Sequence, residues 1–504
     1  MLPFQSWTRF VIVGLMLYSA WCPATDGQAT PGPFTDVKQL PDTPAGQRVK
    51  ELIDVINSGD RERVREFVGE ALAPTFRDRV PLDEHLSTFA DVHRSTGGVD
   101  FYSVRNYEKP SASTQLTAIV RARLSDSWLG FVVEIEPDPP HKIAGLRFAP
   151  ARPPSDLPPP TPLNEQELVE QVRKFMDKLV AADAFSGAVL LAKDDRVLFE
   201  QAYGQADKSF EVPNKVDTKF NLGSMNKMFT ATAVMQLVER GQMKLDDPLS
   251  TYLGADWLPP EIADKIKIEH LLTHTSGLGS YFNDKFMEAS RARFRAVSDY
   301  RPLVVDDKPQ FEPGTKWAYS NTGFLLLGAV IEKVTGGSYF DYIRKNIYEP
   351  AGMKNSDCYD LDRVVPNLAI GYSRVTTADG TFWENNLFKH VIRGGPAGGG
   401  FSTVGDLLKF SQAMRGSQLV NKDATARMWT ATPQSGPGMG YGFGFGVFAT
   451  PAGRVVGHSG GFPGINSVLQ MYLDSGFTLA AMSNYDGGAQ LVEQKVTELL
   501  ARLK

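Results

Sequence analysis

Ser224 and Lys227 stand three residues apart in "FNLGSMNKMFTATAVMQLVERG", and that pairing can do chemistry. A serine hydroxyl attacks carbonyls poorly until a base takes its proton. One helical turn brings positions i and i+3 to the same face, so the lysine amine reaches the hydroxyl. The amine must be neutral to act. Burial and the positive end of a helix dipole both disfavour the ammonium form, and the same dipole favours negative charge developing at the serine. The spacing predicts an amphipathic helix that begins at Ser224 and buries Met228, Val234, Leu237 and Val238. A second pair, Tyr319 and Asn321, precedes an apolar helical run in "FEPGTKWAYSNTGFLLLGAVIEKVTGG". Tyr-x-Asn also occurs at Tyr281 and Asn283, but the Pro313-Gly314 turn and the following helix fix Tyr319 at a loop-helix junction.

"GHSGGFPG", Gly457 to Gly464, offers a rival nucleophile, because its first five residues form G-x-S-x-G. A nucleophile elbow needs a helix after its serine and an acid and a histidine later in the chain. Ser459 is followed by Gly460, Gly461, Phe462, Pro463 and Gly464 and then by alternating "INSVLQMYL", which reads as a strand. The histidines are His85, His93, His141, His270, His274, His390 and His458, none of them downstream of Ser459. Ser459 therefore reads as a residue on a strand edge, and Ser224 as the nucleophile.

Ser224-x-x-Lys227, Tyr319-x-Asn321 and His458-Ser459-Gly460, in that order, resemble the three boxes of the penicillin-binding-protein and serine β-lactamase superfamily, in its class C-like branch. "KLDDPLSTYL", "IEHLLTHTSGL", "IYEPAGMKNS" and "GGPAGGGFSTVGDLLKF" look like the same family, and the resemblance spans residues 165–504. It implies a β-lactamase/transpeptidase-like α/β (α+β) domain, with an antiparallel sheet flanked by helices and a helical subdomain. It also implies acyl transfer without metal or cofactor. Ser224 would attack, Lys227 and Tyr319 would share the proton transfers, and the backbone N–H groups of Ser224 and Gly461 would form the oxyanion hole. Asn321, His458 and Ser459 would line the substrate site. Many members carry lysine where His458 stands, so a substrate carboxylate loses a permanent cation here. Esters, amides, D-amino-acid peptides and β-lactams all suit these boxes. The competing reading is a catalytically silent, penicillin-binding-like protein that binds or regulates.

Other patterns carry bland readings. His270 and His274 lack a third ligand and read as structural. "PAGGGFSTVG" lacks the Lys-Ser/Thr of a phosphate loop, Thr403-x-x-Asp406 reads as a capping box, and "GYGFGFGVFA" as a tightly packed strand.

The elements that must hold these residues follow from pattern. A helix from residue 165 and a hairpin, "SGAVLLAKDDRVLFEQAYG", open the catalytic region; strands in "RVVGHSGG" and "INSVLQMYLDSGFTLAAMSN" and a last helix close it. Strands at both ends imply one sheet built from sequence-distant pieces. The proline-rich "APARPPSDLPPPTP" makes residues 149–164 a linker. Before it, residues 35–148 open with two amphipathic helices (Val49, Leu52, Ile53, Ile56; Val64, Phe67, Val68, Leu72) and continue as strands. This α+β order resembles the cone-shaped SnoaL and ketosteroid-isomerase-like fold, and no chemistry is assigned to it; its histidines read as surface or satisfied core residues.

With 504 residues the chain needs more than one domain, and a net charge of −5 without a basic block argues for a small-molecule or peptide substrate, cell-wall fragments included, over nucleic acid. Residues 1–29 read as a signal peptide, one Arg before about a dozen apolar residues, which implies a secreted or periplasmic protein with no membrane span in the mature chain. Cys22 leaves with that segment, so Cys358 has no disulfide partner.

Overall fold

The computed structural model describes residues 34–107, 112–194, 196–436 and 439–504; the expected signal peptide lies outside them. Among the described residues no helix is long and apolar enough to cross a membrane.

The N-terminal region is a five-stranded antiparallel meander, β1 (Phe34–Val37), β2 (Val99–Tyr107), β3 (Gln115–Ala122), β4 (Trp128–Ile135) and β5 (Ile143–Pro150), in sequential order. The two expected helices are α1 (Pro44–Ser58) and α2 (Arg61–Ala71), and their predicted apolar residues are buried against the sheet. A third helix, α3 (Leu82–Thr96), and the short strand β1 were not expected; α3 buries only His85, Leu86, Phe89 and Thr96, a thin apolar stripe. His85, His93 and His141 each hydrogen-bond a backbone carbonyl, of Arg77, Ile56 and Glu136. β5 takes in Ala149 and Pro150, paired with Gly130 and Leu129, so the linker starts later than composition indicates. Pro150 is tolerated because β5 is an edge strand.

After the linker come α4 (Glu165–Ala181), β6 (Gly187–Lys193) and β7 (Arg196–Tyr203). The C-terminal strands β12 (Met439–Tyr441), β13 (Gly446–Thr450), β14 (Gly453–Phe462), β15 (Ile465–Tyr472) and β16 (Phe477–Ser483) complete a seven-stranded antiparallel sheet in the order β12-β13-β14-β15-β16-β6-β7. The β16–β6 pairing joins the two ends of the region, as strands at both ends require. Leu168, Val172 and Phe175 of α4 and Val492, Val496 and Leu499 of the closing helix Gly488–Leu500 cover one face. The opposite face packs the helical elements, among them α5 (Asn226–Glu239) and α6 (Asn321–Thr335).

Two local expectations are corrected. "GYGFGFGVFA" is a hairpin, β12 and β13 around a turn at Gly442–Phe445, where Gly444 adopts φ +75°. A Cβ there would stand 2.8 Å from the Lys227 carbonyl oxygen, so glycine lets this turn press on α5. Thr403 caps its helix by accepting the Asp406 N–H, but the Asp406 carboxylate turns to the Asn355 N–H, Ser356 and Lys409, so the box is half formed.

Between β7 and β12 lie the short strands β8 (Gln205–Asp207) and β11 (Phe401–Ser402) and a hairpin of β9 (Tyr372–Thr377) and β10 (Gly380–Asn385), which reaches the N-terminal region. There Asp83 accepts the Ala378 N–H at 2.7 Å and Arg65 donates to the Ala378 carbonyl at 2.8 Å.

Candidate active site

Ser224 lies in a 3-10 turn, Gly223–Met225, immediately before α5. α5 is not amphipathic. Every residue from Asn226 to Leu237 is buried, because the helix runs between the sheet and the helical elements. That all-round burial is what the amine needs: Lys227 is 0% exposed, and burial drives its pKa well below the usual lysine value.

The Nζ of Lys227 has three neighbours: Asn321 Oδ1 at 2.8 Å, the Ala397 carbonyl oxygen at 2.5 Å and Ser224 Oγ at 3.2 Å. The two carbonyl-type oxygens only accept. A neutral amine gives them its two hydrogens and turns its lone pair to the serine hydroxyl. Asn321 is oriented by its own amide, which donates to Ser280 Oγ at 3.1 Å. Ala397 belongs to the glycine-rich stretch 394–400, whose Gly395 carbonyl and Gly400 N–H engage both ends of the Asn226 side-chain amide.

Tyr319 stands beside the amine, its ring centroid 4.9 Å from Lys227 Nζ. It keeps 36% of its surface accessible, yet the protein packed around it disfavours phenolate and raises its pKa, against Ser224, which lowers it. Lysine is thus pushed toward its neutral form and tyrosine held protonated, which divides base from proton relay. Tyr281, the alternative, is buried among Phe282, Phe286 and Tyr300, and its Asn283 caps the helix Asp284–Glu288.

β14 forms the facing wall. β13 pairs with it only as far as Gly457, so residues 458–462 have β15 on one side and the Ser224 turn on the other. Gly223, at φ +50°, allows the close approach: a Cβ on it would stand 2.9 Å from Gly461 N and from Gly460 Cα. Gly461 itself borders open space and is exposed.

His458 is buried, and both ring nitrogens are committed: Nδ1 to the Ser459 carbonyl at 2.5 Å, Nε2 to the Tyr441 hydroxyl at 3.0 Å. A carbonyl only accepts, so Nδ1 carries the proton and Nε2 accepts from tyrosine. Burial first, and then the neighbouring Lys227 amine whenever it is protonated, push its pKa down to about 3 against the Ser459 hydrogen bond. A neutral wall residue stands where a cation is common, and any direct bond to substrate requires one of these two to open. Ser459 is half-buried beside it.

Three contributors escaped residue-type reasoning. Ala397 acts through its backbone, which no side-chain pattern announces. Tyr441 lies in the glycine-rich hairpin. His274, read as structural, is fully buried at φ +60° between the rings of Tyr319 (4.3 Å) and Tyr441 (4.5 Å), and its Nδ1 accepts the Ser320 N–H at 3.1 Å. Burial, Lys227 and His458 together lower its pKa well below the usual value.

A model of the Beta-lactamase family matches residues 172–503, which takes in the Ser224 turn, Tyr319 and β14. The chain belongs to the beta-lactamase family. Among its beta-lactamase-family relatives, penicillin-binding protein 4* of Bacillus subtilis is 30% identical over 335 residues, 64% of this chain and 72% of that one. Esterase EstB of Burkholderia gladioli is 30% identical over 231 residues, 42% of this chain and 56% of that one. The solved structure of a D-stereospecific amidohydrolase from Streptomyces sp. superposes with a TM-score of 0.54 at 28% identity, covering 67% of this chain and 98% of that one. The matched region is thus a β-lactamase/transpeptidase-like fold, and the residues before it lie outside the family match.

Proposed function

We propose that this chain is a secreted serine hydrolase that works through an acyl-enzyme on an ester, amide or D-amino-acid peptide. One observation carries the reading: Lys227 Nζ is buried, held by two pure acceptors, and faces Ser224 Oγ at 3.2 Å. Ser224 attacks the carbonyl while Lys227 takes its proton, and Tyr319, held protonated, relays a proton to the leaving group. The Ser224 and Gly461 N–H groups receive the oxyanion, with the helix dipole of α5 adding to them. Water then repeats the sequence on the acyl-enzyme. Asn321 holds the amine, and His458 and Ser459 build the neutral wall. A desolvated lysine beside a serine favours this reading over a silent binding protein. A fluorophosphonate probe tests the reading: one equivalent of label on wild type and none on Ser224→Ala is the expected result, whereas a folded protein that takes no label, or label that survives Ser224→Ala and is lost in Ser459→Ala, overturns it.

A further inference from the structure

Beside Gly461, the end of β14 meets two further rings, Phe282 and His390. Phe462 follows Gly461 directly, at the end of β14, and is half-buried. Its ring faces Phe282 at 6.0 Å and His390 at 6.3 Å. Phe282 lies two residues after Ser280, whose hydroxyl accepts from the Asn321 amide, so this ring is tied to the catalytic cluster from the opposite segment. It is itself backed by Tyr281 and Phe286. His390 comes from the segment after β10, which Asn386 pins to the same wall by donating to the Pro463 carbonyl at 2.9 Å. That segment also presents Leu387, 49% exposed, and Phe388, 91% exposed. Burial lowers the His390 pKa to about 4, so at neutral pH the imidazole is an uncharged ring.

The direction of the reaction places a substrate against these rings. The leaving group must point to its proton donors, Tyr319 and Lys227. The carbonyl oxygen must point to Gly461 N–H. The remaining substituent of the carbonyl carbon, the acyl chain, then runs along Gly461 and Phe462. We infer that Phe462, Phe282 and His390 form an acyl subsite that selects uncharged aliphatic or aromatic acyl groups and rejects acyl groups ending in a carboxylate. This rests on the acyl-enzyme reading above. The bond from Ser224 Oγ to the acyl carbon forms as the carbon–oxygen bond to the alcohol breaks; the serine proton ends on the alcohol, and water later releases the neutral acyl group as its acid.

The test uses p-nitrophenyl acetate, butyrate and hexanoate beside the p-nitrophenyl monoester of succinate, on the full chain. Each fully buried methylene favours binding about fourfold, and a half-open subsite realises part of that. kcat/KM is expected to rise about tenfold or more from acetate to hexanoate and to fall about tenfold or more from butyrate to the succinate ester. In Phe462→Ala and Phe282→Ala the hexanoate-to-acetate ratio is expected to drop about threefold or more; because it is a ratio within one preparation, a partly folded variant does not imitate it. A flat chain-length series, a succinate ester turned over as fast as butyrate, or a ratio unmoved in both variants overturns the subsite. Failure of the acyl-enzyme reading looks different: no ester is then turned over by a Ser224-dependent route and the fluorophosphonate label is absent.

Discussion

Asn321 Oδ1 accepts a hydrogen bond from Lys227 Nζ at 2.8 Å, across 94 residues of chain, and that uncharged acceptor keeps the amine basic without keeping it charged. A carboxylate in the same place would favour the ammonium form. Asn321→Asp is therefore expected to raise the Lys227 pKa. Activity needs neutral lysine and falls as pH drops through that pKa, so the acid limb of kcat/KM moves to higher pH in the variant. A pH–rate profile with an uncharged ester checks it, and an unmoved limb removes Lys227 from the role of base.

Lys227→Arg separates charge from basicity. Guanidinium does not deprotonate in proteins, so the variant keeps a cation and loses the base. Loss of a general base costs about 10²- to 10⁴-fold in rate. Steady-state hydrolysis should fall by that range, with the melting temperature recorded to show that the variant is folded; retained activity would shift the base to Tyr319.

The two glycines of the wall should respond differently to one methyl group. A Cβ on Gly460 would lie 1.9 Å from the Leu222 carbonyl oxygen, which is backbone and cannot swing away, whereas one on Gly461 meets nothing within 4 Å. Gly460→Ala must push β14 from the Ser224 turn, and a displacement near 1 Å costs about 10²-fold in rate. Gly461→Ala should fold with a stability within about 0.5 kcal/mol of wild type. Paired thermal melts and kcat values test the contrast, which disappears if both variants melt alike.

How much of this was legible depended on whether a role belongs to a side chain. Ser224, Lys227, Tyr319 and Asn321 announce themselves by type and spacing, and the structure brings all four together. One sheet joined from both ends of the catalytic region was legible from alternation, but its edge hairpin was not, since "GYGFGFGVFA" reads as a single strand. The Ala397 carbonyl was not, because any residue has one, and its placement depends on a glycine-rich stretch 170 residues away. The loss of a permanent cation at His458 was legible from its residue type, but its Tyr441 partner was not, because that tyrosine arrives from the neighbouring hairpin. The all-round burial of α5 was missed because Asn226, Thr230, Thr232 and Gln236 look solvated in sequence; each finds a buried hydrogen-bond partner instead.

The N-terminal region holds the hairpin of the catalytic region through both backbone groups of Ala378. Asp83→Ala removes the acceptor of the Ala378 N–H, and a net hydrogen bond of this kind contributes about 1 kcal/mol. The variant should be cleaved faster by a protease near residues 377–380, with acylation of Ser224 retained. Limited proteolysis followed by mass mapping checks it, and an unchanged cleavage pattern would mean that the contact does not restrain the hairpin.

His458 makes the fold sensitive to acid. Its pKa is about 3 in the folded chain and about 6.5 when unfolded, so between these values the unfolded state binds a proton that the folded state refuses. Stability is therefore full above about pH 6.5 and falls as pH drops toward 3. At pH 5 the difference of about 1.5 pH units from the unfolded value corresponds to a loss of about 2 kcal/mol from this residue. His390, lowered to about 4, adds a further loss of the same sign. His458→Asn cannot titrate, so although the variant is less stable at pH 7 for want of the Tyr441 bond, its stability should change less between pH 7 and pH 5 than that of wild type. Urea unfolding at the two pH values measures both slopes. Equal slopes would show that His458 titrates in the fold as it does in water, and the neutral wall argued for the site would lose its foundation.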